Sequence, residues 1–323
     1  MNLKKIQKLI SQDIFCLHNQ IATELSSDIN LINQFNEYIL TNQGKYIRPI
    51  AVILATKALK CKTNKYLTLA VLIELIHMAT LLHDDIIDNS KTRRGNKSAH
   101  VIFGHASTIL VGDFIYTRAF QMIASLNSFR IFKILSNTVN TVVKGEILQL
   151  MHAYNPNITV KNYIQIIYRK TASLFEVALY SSAILSKANL IEEKALRNYG
   201  RYLGISFQLI NDCLDYDIKN SNAKIHIGND LNNGKLTLPL LHAMKNSNKN
   251  QYDFIRKAIK MGNKQYLLND ILKIMYEHNS LEFTLNYAKI KIKKAISCLN
   301  ALSHSPYRSA LKELAKSSLK QIC

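Results

Sequence analysis

The stretch Leu81-Leu82-His83-Asp84-Asp85-Ile86-Ile87-Asp88 places three carboxylates at the end of an apolar helical pattern. Upstream, residues 71–80 carry apolar side chains at intervals of three and four, which is the pattern of a buried helix. Asp84 and Asp88 are four residues apart, so a helix brings their Cβ atoms to roughly 5–6 Å from each other. Two carboxylates this close on a mostly apolar helix need a cation between them.

Basic residues follow these acidic ones within a few positions, at Lys91, Arg93 and Arg94. Guanidinium and ammonium groups are donors suited to phosphate oxygens, and Mg²⁺ often joins protein carboxylates to phosphate groups. The stretch therefore predicts Mg²⁺ ions that hold a diphosphate, with the basic residues neutralising its remaining charge. The alternative is a solvated acidic helix end with local ion pairs, because such networks imitate functional sites.

A second stretch, residues 207–216, repeats the pattern. An apolar helix face is followed by polar groups at Asn211, Asp212 and Asp215, and basic residues come after them along the chain. Two such stretches are a much stronger signal than one. We expect their helices to face each other across a cavity that holds a metal cluster.

Helical periodicity covers most of the chain, and strand signals are short and weak. The predicted helical ranges are 3–24, 29–41, 47–60, 66–89, 99–126, 130–153, 159–186, 192–219 and stretches beyond 236. The sequence has no Pro/Ser-rich linker, low-complexity tract or fixed repeat, and its four prolines fall at predicted helix starts or ends. These features predict an all-α protein, a single-domain helical bundle over residues 1–323.

The charge balance is strongly basic, with 42 Lys and Arg against 22 Asp and Glu and a formal net charge of +20. Such a balance suits nucleic-acid binding. The basic residues are scattered, however, and the compact Lys/Arg patches typical of that class are absent from the sequence. We therefore expect no nucleic-acid partner, although attraction to an anionic membrane surface is consistent with the charge.

Two further features predict a cytoplasmic location. No uninterrupted apolar run reaches the roughly 18 residues of a transmembrane helix, and the polar start does not resemble a signal peptide. The five cysteines show no CxxC spacing and are odd in number, which favours unpaired thiols in a reducing compartment.

Taken together, the motifs resemble those of trans-isoprenyl diphosphate synthases, and among these the bacterial long-chain enzymes that make octaprenyl diphosphate for the ubiquinone or menaquinone side chain. The motifs that carry the resemblance, in chain order, are Gly44–Pro49, residues 81–95, Val111–Phe114, Gly145-Glu146, Lys170–Ala172, the second acidic stretch and Gly234–Pro239. The resemblance implies a prenyltransferase with a central cavity. In this reaction, Mg²⁺ assists ionisation of an allylic diphosphate, and farnesyl diphosphate is the expected primer. Isopentenyl diphosphate then condenses with the resulting cation. The released diphosphate takes the proton that is lost.

The resemblance also implies roles for individual residues. Asp84 and Asp88 bind two Mg²⁺ ions, with a third, weaker ion at Asn211, Asp212 and Asp215. Asp85 lies about 100° around the helix, so we expect it to hold a water or contact a metal ligand rather than the metal itself. The residues implied to bind isopentenyl diphosphate are Lys45, Arg48, His77 and Arg94. Those implied for the allylic diphosphate or its cation are Arg93, Lys170, Thr171, Gln208, Lys224 and Lys235.

Two positions depart from the family pattern. Tyr46 stands where many relatives carry Arg, so we expect reduced affinity for isopentenyl diphosphate at most. Asn211 stands where the family usually has the Asp of the third metal site. An amide oxygen can bind Mg²⁺ but lacks the charge of a carboxylate. We expect activity to persist with a weaker third site.

Product length and assembly are also implied. Ala79 and Thr80 occupy the helix face where short-chain relatives carry bulky aromatic side chains, so we expect an open hydrophobic tunnel and a long product. A homodimer is expected through the helix around residues 105–125, with transient membrane-surface contact for product release. The alternatives are an inactive regulatory subunit, which the intact first stretch disfavours, and a terpene cyclase. A cyclase has no use for Lys45, Arg48 and Arg94 at a second diphosphate.

Overall fold

The computed structural model describes residues 3–217, 227–262 and 265–319, and this part of the chain is helical almost throughout. The α-helices are α1 (Leu3–Leu9), α2 (Ser11–Glu24), α3 (Asn30–Thr41), α4 (Ile47–Ala58), α5 (Lys65–Ile87), α6 (Ala99–Phe103), α7 (His105–Ser125), α8 (Phe129–Met151), α9 (Val160–Ile167), α10 (Ser173–Leu185), α11 (Leu190–Leu214), α12 (Asn229–Asn232), α13 (Leu238–Asn246), α14 (Lys249–Met261), α15 (Gln265–Glu277), α16 (Ser280–Cys298) and α17 (Pro306–Leu319). A π-helical segment, Tyr168–Ala172, joins α9 to α10, and Leu299–Ala301 is a 3₁₀ helix. The prediction of an all-α fold is confirmed.

The predicted helical ranges are close to the observed ones but hide three interruptions. The range 3–24 is divided into α1 and α2, and 99–126 is divided at Gly104. Gly104 has a φ of 83°, which an α-helix does not contain. The range 159–186 contains the π-helical segment. The sequence shows apolar residues at helical spacing on both sides of each interruption. The spacing alone therefore does not reveal the short change of backbone geometry between them.

The basic residues after the first acidic stretch lie on a β-hairpin that the sequence analysis did not predict. Strand β1 (Thr92–Arg93) pairs antiparallel with β2 (Asn96–Lys97). Arg94 and Gly95 form the turn, with φ angles of 52° and 84°. Two central residues with positive φ are the mark of a type I′ hairpin turn, for which glycine is favoured at the second position. Strands of two residues are too short to show any alternation.

Contacts within the chain define two compact units, which are described separately. The first contains the described residues up to Asn137, with Val177–Leu196 and Ala301–Leu314. Its central element is α5, which packs against α2, α4 and α7. Every residue from Leu69 to Ile76 is buried, including the carboxylate-bearing Glu74. Burial of these side chains, which are apolar except for Glu74, drives the assembly of this unit. The prediction of a single domain stays a prediction.

Helix α5 is also long and apolar enough to cross a membrane by length and composition alone, with a mean hydropathy of 1.6 in its most apolar window. In the structure, 61% of that window is buried inside the protein. The central helix of a folded core meets the same criterion, so the hydropathy of α5 is weak evidence for a membrane span.

The second unit contains Thr138–Glu176, the described residues of 197–300 and those from Ala315 onward. In it, α13 packs against α9, α14, α15 and α16. Pro239 lies in the first turn of α13, where its missing N–H costs no helical hydrogen bond. A capping box formed by Asn248 and Gln251 starts α14. Two buried tyrosines of this unit, Tyr199 and Tyr216, are the largest fully buried side chains of the described protein.

Candidate functional site

The first acidic stretch lies at the C-terminal end of α5, and Asp88 is its C-cap. A helix C-terminus carries partial negative charge, which basic side chains normally offset. The last turn of α5, which the structure describes completely, has no basic residue. Asp84 and Asp88 therefore add negative charge where the backbone already supplies it. Such a site attracts a cation strongly.

Asp85 forms an ion pair inside the protein. It is 2% exposed, and both of its carboxylate oxygens accept hydrogen bonds from Arg93, from Nε at 2.6 Å and from Nη2 at 2.5 Å. This two-point pairing fixes the plane of the guanidinium. It also connects α5 to the hairpin, so that the position of Arg93 depends on Asp85.

A cavity lies beside this pair in the first unit. Its lining comes from α3, the segment before α4, α5 and the hairpin, and consists of Tyr38, Ile39, Asn42, Gln43, Gly44, Glu74, Met78, Leu81, Leu82, Asp85, Arg93 and Arg94. Arg94 donates from Nη1 to the carbonyl oxygen of Asn42 at 2.6 Å. A Cβ atom on Gly44 would lie only 2.6 Å from Nη2 of Arg94. The absence of a side chain at Gly44 therefore lets the guanidinium lie against the backbone before α4.

Three of the residues predicted to bind isopentenyl diphosphate, namely Arg48, His77 and Arg94, are close enough for their charges to interact. The pKa of His77 is lowered well below its usual value by burial and by the positive charges of Arg48, Arg93 and Arg94. His77 is therefore neutral near pH 7, and the three arginines create the positive field that affects it. A positive field at a buried site favours a polyanion such as a diphosphate. Lys45 is exposed, two residues before α4 begins.

Tyr46, the first departure from the family pattern, is the N-cap of α4 with a φ of 49°. It is 6% exposed, and its hydroxyl has no hydrogen-bond partner in the described part of the chain. Burial, followed by the negative charge of Glu74, raises the pKa of Tyr46. A neutral, buried phenol thus occupies the position at which the resemblance led us to expect a cation in many relatives.

Glu74 lines the same cavity, although the sequence analysis gave it no role. Burial raises the pKa of Glu74 to about 7, while the charges of Arg48 and Arg94 oppose that shift. Burial also lowers the pKa of Arg48 to about 10, and here the charge of Glu74 acts in the opposite direction. A helix-face argument could have found Glu74, because it lies three residues before His77 on α5.

The pKa of Glu74 makes stability depend on pH. A carboxyl with a folded pKa near 7 and an ordinary value of 4.5 holds its proton more tightly when folded, so stability falls as pH rises between these values. We expect Glu74→Gln to remove this loss. Between about pH 5 and about pH 8, the unfolding free energy of the variant relative to the wild type should rise by up to about 3 kcal/mol.

Urea unfolding of both proteins at the two pH values measures this difference. Asp270→Asn, at an exposed carboxylate whose side chain is 55% accessible, is the matched control and should show no such change. A difference between Glu74→Gln and the wild type that stays constant with pH would contradict the raised pKa.

In the second unit, Lys170 and Thr171 lie on the π-helical segment. π-Helical segments within α-helices are rare and often occur at functional sites. A Cβ atom on Gly145 would lie 2.7 Å from the backbone nitrogen of Lys170, and one on Gly204 would lie 2.5 Å from Cα of Ala172. Helices α8 and α11 thus approach this segment closely because both carry glycine at the contact. The ammonium of Lys170 lies 2.6 Å from Oε2 of Glu146 and 2.9 Å from Oε1 of Gln149.

Thr171, Gln208 and Asp212 form a continuous chain of hydrogen bonds. The hydroxyl of Thr171 donates to Oε1 of Gln208 at 2.9 Å, and Nε2 of Gln208 donates to Oδ1 of Asp212 at 2.7 Å. The hydroxyl of Tyr163, a residue that the sequence analysis did not select, donates to Oδ2 of Asp212. Both oxygens of the 1%-exposed Asp212 carboxylate are therefore bound by protein donors.

The other members of the second stretch differ in their contacts. Asp215 accepts hydrogen bonds from the backbone N–H groups of Asn229 at 3.1 Å and Asp230 at 3.0 Å, and so binds the start of α12. The side chain of Asn211 makes no hydrogen bond within the described residues. Burial, followed by the negative charge of Asp230, raises the pKa of Asp212 above its usual value. The positive charge of Lys235 opposes this shift. Lys224 lies outside the described residues.

The protein side chains can bind Mg²⁺ only if water or substrate phosphate completes its coordination. Within residues 3–217, 227–262 and 265–319, no group of three His, Cys, Asp or Glu side chains is arranged to hold an ion. Mg²⁺ usually binds one or two carboxylates and completes its octahedron with water and substrate phosphates. Asp84 and Asp88 match that requirement by residue type and by position on one helix end.

Three comparisons place the chain among known proteins. Residues 29–275 match the family model for polyprenyl synthetase. The chain is 48% identical over 315 residues, 98% of each chain, to the octaprenyl diphosphate synthase of Escherichia coli (strain K12), and 44% identical to that of Haemophilus influenzae, over 98% of this chain and 96% of the relative. Among solved structures, a polyprenyl synthase from Caulobacter crescentus CB15, complexed with calcium and isoprenyl diphosphate, has a TM-score of 0.94 at 32% identity, covering 100% of this chain and 98% of that one.

Proposed function

Because the chain belongs to the polyprenyl synthetase family, it is a prenyltransferase that elongates trans-prenyl diphosphates, and we propose that it extends farnesyl diphosphate to octaprenyl diphosphate. The 48% identity to an octaprenyl diphosphate synthase over almost the full length of both chains supports this product. Octaprenyl diphosphate supplies the side chain of ubiquinone or menaquinone. The substrates are isoprenoid diphosphates, and isopentenyl diphosphate is the unit added at each step.

The acidic stretches are assigned to the diphosphate of the allylic substrate. Mg²⁺ supplies charge neutralisation of the leaving group when it is bound. Asp84 and Asp88 provide the carboxylates for two ions, and Asp85 holds Arg93 so that its remaining N–H groups can contact the diphosphate. Asn211 is the donor for a third, weaker ion, because the carboxylates of Asp212 and Asp215 are already hydrogen-bonded within the protein.

Other residues bind the second diphosphate and stabilise the cation. Arg48, Arg94 and the neutral His77 hold isopentenyl diphosphate, and Lys45 adds a charge at the start of α4. In the second unit, Lys170 binds the allylic diphosphate, with Lys224 and Lys235 as further cations. The hydroxyl of Thr171 and the amide oxygen of Gln208 place negative partial charge near the allylic cation. The released diphosphate accepts the proton as the new double bond forms.

We propose that the protein forms a homodimer through the exposed face of α7. Ile109 and Leu110 are 43% and 67% exposed, and both lie in the first turns of that helix. Burial of such side chains against a second copy would stabilise a dimer. Sedimentation of the wild type and of Leu110→Lys checks this, because a charge at the interface should produce monomers.

We propose that one end of the first unit contacts an anionic membrane surface. Phe129, Leu190 and Ile191 are 81%, 79% and 72% exposed, and the exposed Lys187 lies shortly before Leu190 in sequence. The ion pair between Arg130 and Glu193 joins the starts of α8 and α11 there. The prenyl product, which carries both charge and a long hydrocarbon, is consistent with such a surface. Co-sedimentation with anionic and neutral lipid vesicles distinguishes this contact from nonspecific adsorption.

A cytoplasmic location agrees with the state of the cysteines. Cys16, Cys61, Cys213 and Cys298, the four in the described residues, are free thiols. Free thiols are the usual state in a reducing compartment. Fractionation of cells, followed by immunodetection, tests the assignment.

The decisive experiment measures the reaction itself. Purified protein is incubated with Mg²⁺, farnesyl diphosphate and labelled isopentenyl diphosphate, and the lipid is sized by chromatography after removal of its phosphates. We expect products of octaprenyl length. A protein that consumes neither substrate would instead support an inactive subunit.

A further inference from the structure

We propose that Tyr163 is a positioning residue for prenyl transfer, and that it acts through Asp212 on the side-chain amide of Gln208. The proposal rests on the proposed function, in which the oxygen of that amide lies near the allylic cation. It assigns a role to a residue of α9 that no acidic or basic motif contains. It also gives Asp212 a task other than binding metal.

Tyr163 is 3% exposed and Asp212 is 1% exposed, so their hydrogen bond is shielded from water. A buried carboxylate must have its oxygens satisfied by donors, since an unsatisfied one costs free energy. Oδ1 of Asp212 is bound by Gln208 and Oδ2 by Tyr163. Tyr163 therefore supplies one of the two side-chain donors that hold this carboxylate.

The contacts of Gln208 fix the orientation of its side-chain amide. Nε2 of Gln208 donates to Oδ1 of Asp212 at 2.7 Å, so the NH₂ group of the amide faces the carboxylate. The amide oxygen then points the other way, where it accepts from the hydroxyl of Thr171 at 2.9 Å. A flipped amide would direct its NH₂ toward Thr171 and lose its donation to Asp212. The carboxylate thus selects the orientation that presents oxygen.

The hydroxyl of Tyr163 holds the second oxygen of the Asp212 carboxylate. Without it, Oδ2 of Asp212 loses its side-chain donor, and a carboxylate bound at one oxygen alone is free to rotate and holds the Gln208 amide less firmly. The amide can then adopt both orientations, and one of them presents a positive N–H edge toward a developing cation. This would lower the rate of the chemical step while leaving the binding of both diphosphates unchanged, because no residue assigned to the diphosphates changes.

Tyr163→Phe tests the proposal, since it removes only the hydroxyl. We expect kcat to fall about 10–100-fold, a size typical of lost support behind a functional side chain, with KM for both substrates unchanged within twofold. The matched control is Tyr66→Phe, which removes a tyrosine–carboxylate hydrogen bond of 2.7 Å to Asp13 in the first unit. The control should keep the wild-type kcat. Thermal unfolding of both variants shows whether their losses of stability are comparable.

A double-mutant cycle separates positioning from a general structural effect. If Tyr163 acts through Gln208, then Tyr163→Phe has no further effect on kcat in a Gln208→Ala background. Multiplicative losses in the double variant would overturn the proposal, as would a kcat of Tyr163→Phe equal to that of Tyr66→Phe.

A measurement on the wild type keeps the proposal testable even where Tyr163→Phe does not fold. The side-chain amide signal of Gln208, assigned by its disappearance in Gln208→Glu, should show slow proton exchange because its NH₂ is bound to a buried carboxylate. Rapid exchange would overturn the proposal. A wild type without prenyltransferase activity would refute the proposed function but leave this exchange result intact, so the two failures are distinguishable.

Discussion

Asp84→Asn should lower kcat by at least about 100-fold, the largest loss that we expect from a single isosteric change in this protein. The substitution keeps the size of the side chain and removes its negative charge. Asp84 and Asp88 lie at the C-terminal end of α5, where the helix dipole and the second carboxylate add to the attraction for a cation. Steady-state rates measured across a Mg²⁺ titration should also show that the variant requires a higher Mg²⁺ concentration.

The control for this change is Asp270→Asn in α15. Asp270 is exposed and pairs with Lys273 at 3.0 Å, so removing its charge should leave both kcat and the Mg²⁺ requirement unaltered. If Asp84→Asn retains activity within threefold at the same Mg²⁺ concentration, the first acidic stretch does not provide the metal site. Asp84→Asn should remain folded, because it leaves the buried ion pair between Asp85 and Arg93 in place.

Ala79→Phe should shorten the product from octaprenyl to a farnesyl- or geranylgeranyl-sized chain. Ala79 is fully buried on α5, five residues before Asp84, which is less than two helical turns. If the growing hydrocarbon passes this position, an aromatic ring closes its path after a few additions. Reversed-phase chromatography of the dephosphorylated products measures the chain length directly.

The matched control for this variant is Ala70→Phe. Ala70 is also fully buried on α5, and nine residues at about 100° each place it on the opposite face from Ala79. Both substitutions overfill a packed core, with an expected cost of about 1–3 kcal/mol. Only Ala79→Phe should change product length. Unchanged products from Ala79→Phe, or equal shortening by Ala70→Phe, would remove this position from the determinants of length.

Most of the fold could be predicted because helices are encoded locally. The apolar intervals around α5 and the prolines near helix starts located elements to within a few residues of their observed ends. The hairpin that carries Arg93 and Arg94 could not be located in the same way, since two-residue strands have no periodicity. Its only local signal was Gly95 after a polar residue, which is common in turns of every kind.

The site was predicted less completely than the fold. The acidic stretches and the basic residues near them were visible because like charges on an apolar helix require an explanation. Glu74 and Tyr163 were not recognised, because a single polar residue on a buried face is usually ordinary core. That the two acidic stretches face a shared ligand stays a prediction, as do the roles of all the individual site residues.

By itself, the sequence determined the helical class of this protein, the positions of its carboxylate clusters and the family to which it is similar. These properties depend on the spacing of residue types along one chain segment. Only the tertiary structure decided which carboxylates bind protein donors: Asp85 binds Arg93, Asp212 binds Tyr163 and Gln208, and Asp215 binds the start of α12. Hydrogen bonds need atoms within about 3 Å of each other, and for residues far apart in sequence that distance is set by how the helices pack.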